Sequence, residues 1–217
     1  MNQTLKLYHY WRSSSSWRVR WALEVKKLKY TPVQINLLND ETESQEHLRR
    51  NPLGYVPVLE IEQGNQNPSI FMSESVAILE WLEETYPNPS YFSQDPMIRA
   101  QMRQLAEIIN SGTQPLQNPN VVQRHSSDTS EQKRWIQEWI RKGLKAYQSL
   151  ISDKAREFSM ASTPTYPDFF LIPQCYNALR FEIDLKTEFP LLNQIYQNAL
   201  STHECQNSAP ERFTPQF

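Results

Sequence analysis

Polar and apolar positions in the first part of this chain alternate between two periods. Leu5-Lys6-Leu7-Tyr8-His9-Tyr10 repeats every second residue, the pattern of a half-buried strand. The serine run that follows opens a helix, with Val19, Ala22, Leu23, Val25 and Leu28 on its apolar face. Tyr30 to Asn36 predicts a second strand. Pro32 puts it at a sheet edge or a strand start, because proline has no N–H to give to a ladder. Residues 40–50 are acidic, then mixed in charge, and predict a short helix or a mobile loop. Asn51-Pro52-Leu53-Gly54 is a turn signal. Val56 to Glu62 and Ser69 to Met72 read as a hairpin joined through residues 63–68. From Ser75 to Thr85 the period is helical, with Val76, Ile78, Leu79 and Leu82 on the buried face. The order β-α-β then β-β-α makes residues 1–85 one compact α/β unit.

Pro87, Pro89 and Pro96 then interrupt the pattern, so Tyr86 to Gln94 reads as a linker. Beyond it only helical periodicity remains, which predicts an all-α domain over 95–217. Its helices are expected at Arg99–Asn110, Glu131–Ser152, Tyr166–Phe181 and Leu191–Leu200. Thr165-Tyr166-Pro167-Asp168 before Phe169-Phe170-Leu171-Ile172 reads as a capping box, with Thr165 as N-cap and Asp168 reaching back to its amide. The polar tail from His203 to Phe217 is expected to lie on the surface or fray.

Composition narrows the function. With 6 Trp, 10 Tyr and 9 Phe the chain can fill an aromatic-rich core, which argues against disorder. A net charge of −2 offers no basic excess for nucleic acid or an acidic membrane surface. The apolar runs are too short to span a bilayer, and the first residues lack the apolar core of a signal peptide. Two cysteines, Cys175 and Cys205, form neither a disulfide framework nor a metal-ligand cluster, so no metal is expected and the cytoplasm is the expected compartment.

The candidate chemistry lies in Arg12-Ser13-Ser14-Ser15-Ser16-Trp17-Arg18-Val19-Arg20. Hydroxyls at a helix start sit beside unpaired backbone N–H groups and the positive end of the helix dipole, a place that favours a thiolate or another anion. A simple helix cap uses the same residues. Ser16 is expected on the helix surface, and Arg18 and Arg20 in solvated or structural ion pairs.

Five segments, taken together and in order, resemble the zeta class of glutathione transferases. Ser13 to Leu23 resembles the class fingerprint Ser-Ser-Cys-x-Trp-Arg-Val-Arg-x-Ala-Leu. Asn51 to Leu59 and Glu74 to Leu82 match its second and third signatures. Gln114-Pro115-Leu116-Gln117-Asn118 is close to a class-specific loop. Pro173-Gln174, Asn177-Ala178, Arg180-Phe181 and Asp184-Leu185 match the last. The resemblance implies a thioredoxin-like glutathione-binding domain followed by a helical domain, and glutathione as cofactor. It implies that Ser13 or Ser14 stabilises the glutathione thiolate, with Arg18 adding positive potential. Val56-Pro57 would carry a cis peptide bond that offers the Val56 backbone to the tripeptide, and Glu74 with Ser75 would hold the γ-glutamyl end. Gln114 and Asn118 would line the mouth of the site, and Arg180 would bind a substrate carboxylate. The activity implied is cis–trans isomerisation of maleylacetoacetate, a small dicarboxylate keto acid, to fumarylacetoacetate. Conjugation of glutathione to small electrophiles such as α-haloacids is the alternative, and a non-catalytic binding module a third. A homodimer is implied as well.

The chain departs from the class at Ser15, where the fingerprint has cysteine. Ser15 can donate a hydrogen bond but cannot form a mixed disulfide, which argues against thiol-exchange chemistry there. No glutamine between Asp40 and His47 matches the one that approaches the glycyl end of glutathione in the class.

Overall fold

The computed structural model describes residues 4–37, 39–64 and 67–215. They form two compact units, one of residues up to Ser90 together with those from His203 onward, the other running from Tyr91 to Thr202. Among the described residues, no helix is long and apolar enough to cross a membrane.

The first unit begins with strand β1 (Thr4–His9) and helix α1 (Ser14–Val25). Strand β2 (Thr31–Gln34), a 3-10 turn at Glu41–Glu43 and the short helix α2 (Gln45–Arg50) follow. Strands β3 (Val58–Glu62) and β4 (Ile70–Ser73) then lead into helix α3 (Ser75–Thr85). The four strands lie in the order β2-β1-β3-β4. β2 runs parallel to β1, whereas β3 is antiparallel to both β1 and β4. Pro32 therefore sits on an edge strand, where its missing N–H costs no ladder bond. The middle of the expected hairpin connection, Asn65 and Gln66, lies outside the described residues.

The period-2 alternation decides the faces. Register pairs Leu5 with Ile61 and Leu7 with Leu59, and all four are buried on one face. Tyr8 and Val58, also paired, form a second apolar cluster with Ile35 on the other. Helices α1 and α3 pack together. Every residue of α1 from Ser16 to Leu23 is buried, not just the expected apolar face.

The reason is the tail. Rather than lying loosely on the surface or fraying, residues from His203 form helix α10 (His203–Ser208) and a 3-10 turn at Pro210–Phe213, and α10 packs on α1. Cys205 and Ser208 are fully buried. The C-terminal end of the expected 95–217 domain thus folds with the N-terminal unit. The same unit secures the start of the linker. Lys26 Nζ, at the end of α1, donates to Glu83 Oε2 at 2.5 Å and to the Pro89 carbonyl at 2.7 Å. Asn88-Pro89 is a second cis peptide bond beside Val56-Pro57.

The second unit is helical. It comprises α4 (Pro96–Asn110), a 3-10 turn at Gln114–Gln117, α5 (Pro119–His125) and α6 (Thr129–Ile151). It continues with α7 (Asp168–Arg180), α8 (Leu185–Glu188) and α9 (Pro190–Leu200). Asp95 and Asp128 cap α4 and α6 by accepting from the first free amides. Phe169, Phe170, Leu171 and Ile172 open α7 fully buried, each contributing about 1.5–3 kcal/mol relative to exposure. Tyr91 and Phe92 both stack on Tyr166, and Tyr91 meets Phe169 of this start edge-on at 5.0 Å.

Asp168 reaches back as expected: its Oδ2 accepts from Thr165 N at 2.8 Å. Thr165 itself does not cap an amide, however. The helix begins at Asp168 behind Pro167, and the Thr165 hydroxyl donates to the same Oδ2 at 2.5 Å. Oδ1 accepts from the amide and hydroxyl of Ser159 at 2.9 and 2.5 Å. The Ser159 proton is thus committed, so Tyr147, 2.8 Å away, donates to the Ser159 oxygen. Burial raises the Asp168 carboxyl above its usual range, and these hydrogen bonds pull against it.

Candidate functional site

Register gathers three of the five signature segments at one end of the sheet. Tyr8 pairs with Val58, so the end of β1 lies beside the start of β3. Val58 also pairs with Ser73, so the end of β4 lies there too. The serine run leaves β1, Val56-Pro57 enters β3, and Glu74-Ser75 leaves β4, all from this edge.

Ser13 is the N-cap of α1, with extended backbone, and its Oγ accepts from Ser16 N at 3.2 Å. That bond uses the oxygen and leaves the hydroxyl proton to be donated elsewhere. Ser13, Ser14 and Ser15 are all half-buried in the first turn. Ser16 corrects the sequence reading. It is fully buried, and its Oγ accepts from Tyr10 N at 3.4 Å, tying the helix back to the strand end. The helical period turns Ser16 inward, away from the half-buried face of its neighbours.

Arg18 and Arg20 are not solvated; both are buried. Arg18 Nη1 donates to Ser75 Oγ at 3.1 Å, which joins the first and third signatures directly. The accepted bond leaves the Ser75 hydroxyl proton available, at the N-terminus of α3, to a carboxylate. Glu74 is exposed and holds a left-handed backbone at φ 66, which a non-glycine residue adopts only where its surroundings demand it.

The Val56-Pro57 bond is cis, as the resemblance implies. Two side chains that sequence reading passed over hold the residue before it. His47 Nε2 lies 3.1 Å and Asn51 Nδ2 3.0 Å from the Tyr55 carbonyl, and Asn51 Oδ1 also accepts from Leu53 N at 3.1 Å. Asparagine in an Asn-Pro turn was the available signal, since its side chain bonds the backbone two residues on.

The remaining candidates belong to the helical unit. Gln114 is half-buried and Asn118 exposed, at the two ends of one short turn. Thr113, just before it, is fully buried and presses on α6. A Cβ on Gly143 would come within 2.0 Å of the Thr113 hydroxyl, so only glycine admits this approach. Gln117 and Gln174 exchange amide hydrogen bonds at 3.0 and 3.3 Å, fastening the turn to α7. Arg180, in the last turn of α7, is exposed and donates to Asn177 Oδ1 at 3.1 Å. Among the described residues no group of three or more His, Cys, Asp or Glu is arranged to hold a metal ion.

Hydroxyls at a helix start, a cis-proline backbone edge and an arginine-backed serine thus lie together at one end of the sheet. The fold and this site together define the glutathione transferase architecture. A model of the glutathione S-transferase N-terminal domain matches residues 7–90. The chain is 36% identical to the maleylacetoacetate isomerase of Dictyostelium discoideum, over 97% of this chain and 94% of that protein. It is 38% identical to a zeta-class glutathione S-transferase of Euphorbia esula, over 96% and 91%. The crystal structure of the Anaeromyxobacter dehalogenans maleylacetoacetate isomerase with bound GSH superposes with a TM-score of 0.87 at 40% identity, covering 97% of each chain. The same enzyme with bound dicarboxyethyl glutathione and citrate gives 0.87 at 38%, covering 98% of this chain and 93% of that one. The chain belongs to the zeta class of the glutathione S-transferase family, the class of the maleylacetoacetate isomerases.

Proposed function

We propose that this chain catalyses the glutathione-dependent cis–trans isomerisation of maleylacetoacetate to fumarylacetoacetate. The observation that carries the reading is the sheet register, which sets Ser13 of α1, the Val56-Pro57 edge and Ser75 at one end of one sheet. The residues fit glutathione. Hydroxyls at the positive end of α1 suit a thiolate, and the Val56 backbone suits an added peptide strand. Ser75, backed by buried Arg18, suits a carboxylate. A solved relative that holds dicarboxyethyl glutathione adds support, because that ligand joins the tripeptide to a four-carbon diacid.

Bound glutathione supplies a thiolate that adds to the cis double bond, permits rotation about the resulting single bond, and leaves again unchanged. The Ser13 hydroxyl donates toward the thiolate sulfur and favours it over the thiol, with the first free amides of α1 adding positive potential. Ser14 and Ser15 stand in the same turn as further donors. Ser75 and the start of α3 fix the far end of the cofactor, Glu74 facing its ammonium group, while Val56 fixes the middle. Arg180 pairs with a substrate carboxylate in bidentate fashion, and Gln114 and Asn118 line the approach. Serine at position 15 keeps a donor there and leaves no protein thiol to exchange with the cofactor. We infer a cytoplasmic homodimer as the working form, on the family resemblance and the cysteine usage.

Product analysis tests the reading. Incubation with maleylacetoacetate and glutathione is expected to yield the trans isomer with glutathione undiminished. A thioether that accumulates as glutathione disappears would establish conjugation instead. A chain that shows no heat of glutathione binding in calorimetry would be a binding module of another kind.

A further inference from the structure

The C-terminal segment is built into the unit that carries the serine run. Trp17 Nε1 donates to Ser208 Oγ at 3.1 Å, and that hydroxyl donates on to the Cys205 carbonyl at 2.9 Å. Arg20 Nε donates to the Ser208 carbonyl at 2.8 Å. From β2, Gln34 Nε2 donates to the Phe213 carbonyl at 2.7 Å. The Phe213 ring then closes over the group. It stands edge-on to the His9 imidazole at 5.1 Å and lies 4.8 Å from the Arg20 guanidinium carbon.

The other end of the same guanidinium reaches the turn before the serines. Arg20 Nη1 lies 3.1 Å from His9 Nδ1 and 3.4 Å from the Tyr10 carbonyl, and Nη2 donates to the Trp11 carbonyl at 3.0 Å. The Tyr10 carbonyl also accepts from Ser13 N at 3.1 Å. Arg20 is fully buried. A buried guanidinium is costly unless its donors are met, and here they are met by three main-chain carbonyls and an imidazole nitrogen. Carbonyl partners pin backbone. One rigid, planar fork therefore spans from the last helix to the two residues ahead of the thiol site. Tyr30, neutral at working pH because burial raises its hydroxyl, and Glu211 are the further titratable groups facing it.

We propose that Arg20, braced by Ser208 and Phe213 of the C-terminal segment, is a positioning residue for the reaction: it fixes the Tyr10–Ser13 turn, and with it the placement of the Ser13 hydroxyl and the first amides of α1. The proposal rests on the serine run being the thiol site. Its consequence is that a residue near the end of the chain governs the ionisation of a thiol held by the beginning.

The test uses the full-length protein with bound glutathione, whose thiolate is followed by ultraviolet absorbance as pH is varied. Phe213→Ala removes the brace and keeps the arginine. Arg20→Lys keeps the charge and loses the fork. In both, the ratio of thiolate to thiol at neutral pH is expected to fall about threefold to tenfold, a shift of about half to one pKa unit. The acid limb of the kcat profile should move to higher pH by the same amount, while KM for glutathione changes less than about threefold, since the far contacts are untouched. Variants whose melting temperature drops while the bound thiol titrates as in the unaltered protein would overturn the proposal and leave Arg20 a purely structural residue. Failure of the underlying reading looks different: the unaltered protein would then bind glutathione without lowering its thiol pKa, which overturns both.

Discussion

Helices α1 and α7 each start with side-chain oxygens turned back on their own backbone, yet the two starts serve opposite ends. At α7, both oxygens of Asp168 are saturated by Ser159 and Thr165, each giving an amide and a hydroxyl, and the carboxylate is fully buried. Nothing remains there for a ligand. At α1, the Ser13 oxygen takes one amide, its proton is kept, and the first turn stays half-buried. Both starts offer positive helix-dipole potential. The two starts therefore differ in the hydrogen-bonding capacity left over and in the access to it.

The largest expected effect tests the open start. Ser13→Ala should lower the isomerisation rate at saturating glutathione about 100-fold, the scale of losing one positioned donor to a developing charge. Ser13→Gly should lower it as much, although glycine costs an N-cap only a few tenths of a kcal/mol. Ser14→Ala should stay within about threefold, as a substitution away from the fixed donor. Full activity in Ser13→Ala with loss in Ser14→Ala would move the thiol donor one residue along.

The closed start should answer in stability. Asp168→Ala leaves two amides and two hydroxyls without their acceptor and should cost about 3 kcal/mol in urea unfolding. Glutathione affinity of the folded variant should stay unchanged. Weakened binding at full stability would mean that the α7 start is more than a cap.

The last effect is confined to acid and concerns the strand end next to α1. His9 is fully buried, and burial followed by the nearby Arg20 charge lowers its pKa from 6.5 to about 3. Between those values the unfolded chain holds a proton that the folded one does not, so stability falls as pH drops from 6.5 toward 3. This group contributes at most about 1.4 kcal/mol per pH unit. His9→Gln should flatten that part of the pH dependence of the urea midpoint. An unchanged slope would show that His9 charges readily in the folded state.

Much of the frame was written in local pattern. Alternation at Leu5–Tyr10 and helical spacing at Ser75–Thr85 survive folding, because each depends on residues within one or two turns of each other. The reach of Asp168 to Thr165 is readable for the same reason, whereas the cis Val56-Pro57 bond follows from the family resemblance. Arg18 and Arg20 lie buried where local pattern reads them as solvated, because their partners come from far along the chain. Arg18 meets Ser75 across 57 positions, and Arg20 meets Ser208 across 188. A polar helix face next to an apolar one reads as solvent-facing unless a second layer returns to cover it.

By itself, then, the sequence determined which residue types stand where a thiolate, a peptide edge and a carboxylate can be held, and which local conformations carry them. Those are short-range properties, set by hydroxyl chemistry, proline geometry and hydrophobic period. Tertiary structure alone decided that the three segments meet at one sheet end, that Arg18 backs Ser75, and that α10 and Phe213 brace Arg20 behind the serines. These are consequences of strand register and of α10 packing on α1, where burial turns exposed-looking polar side chains into fixed donors.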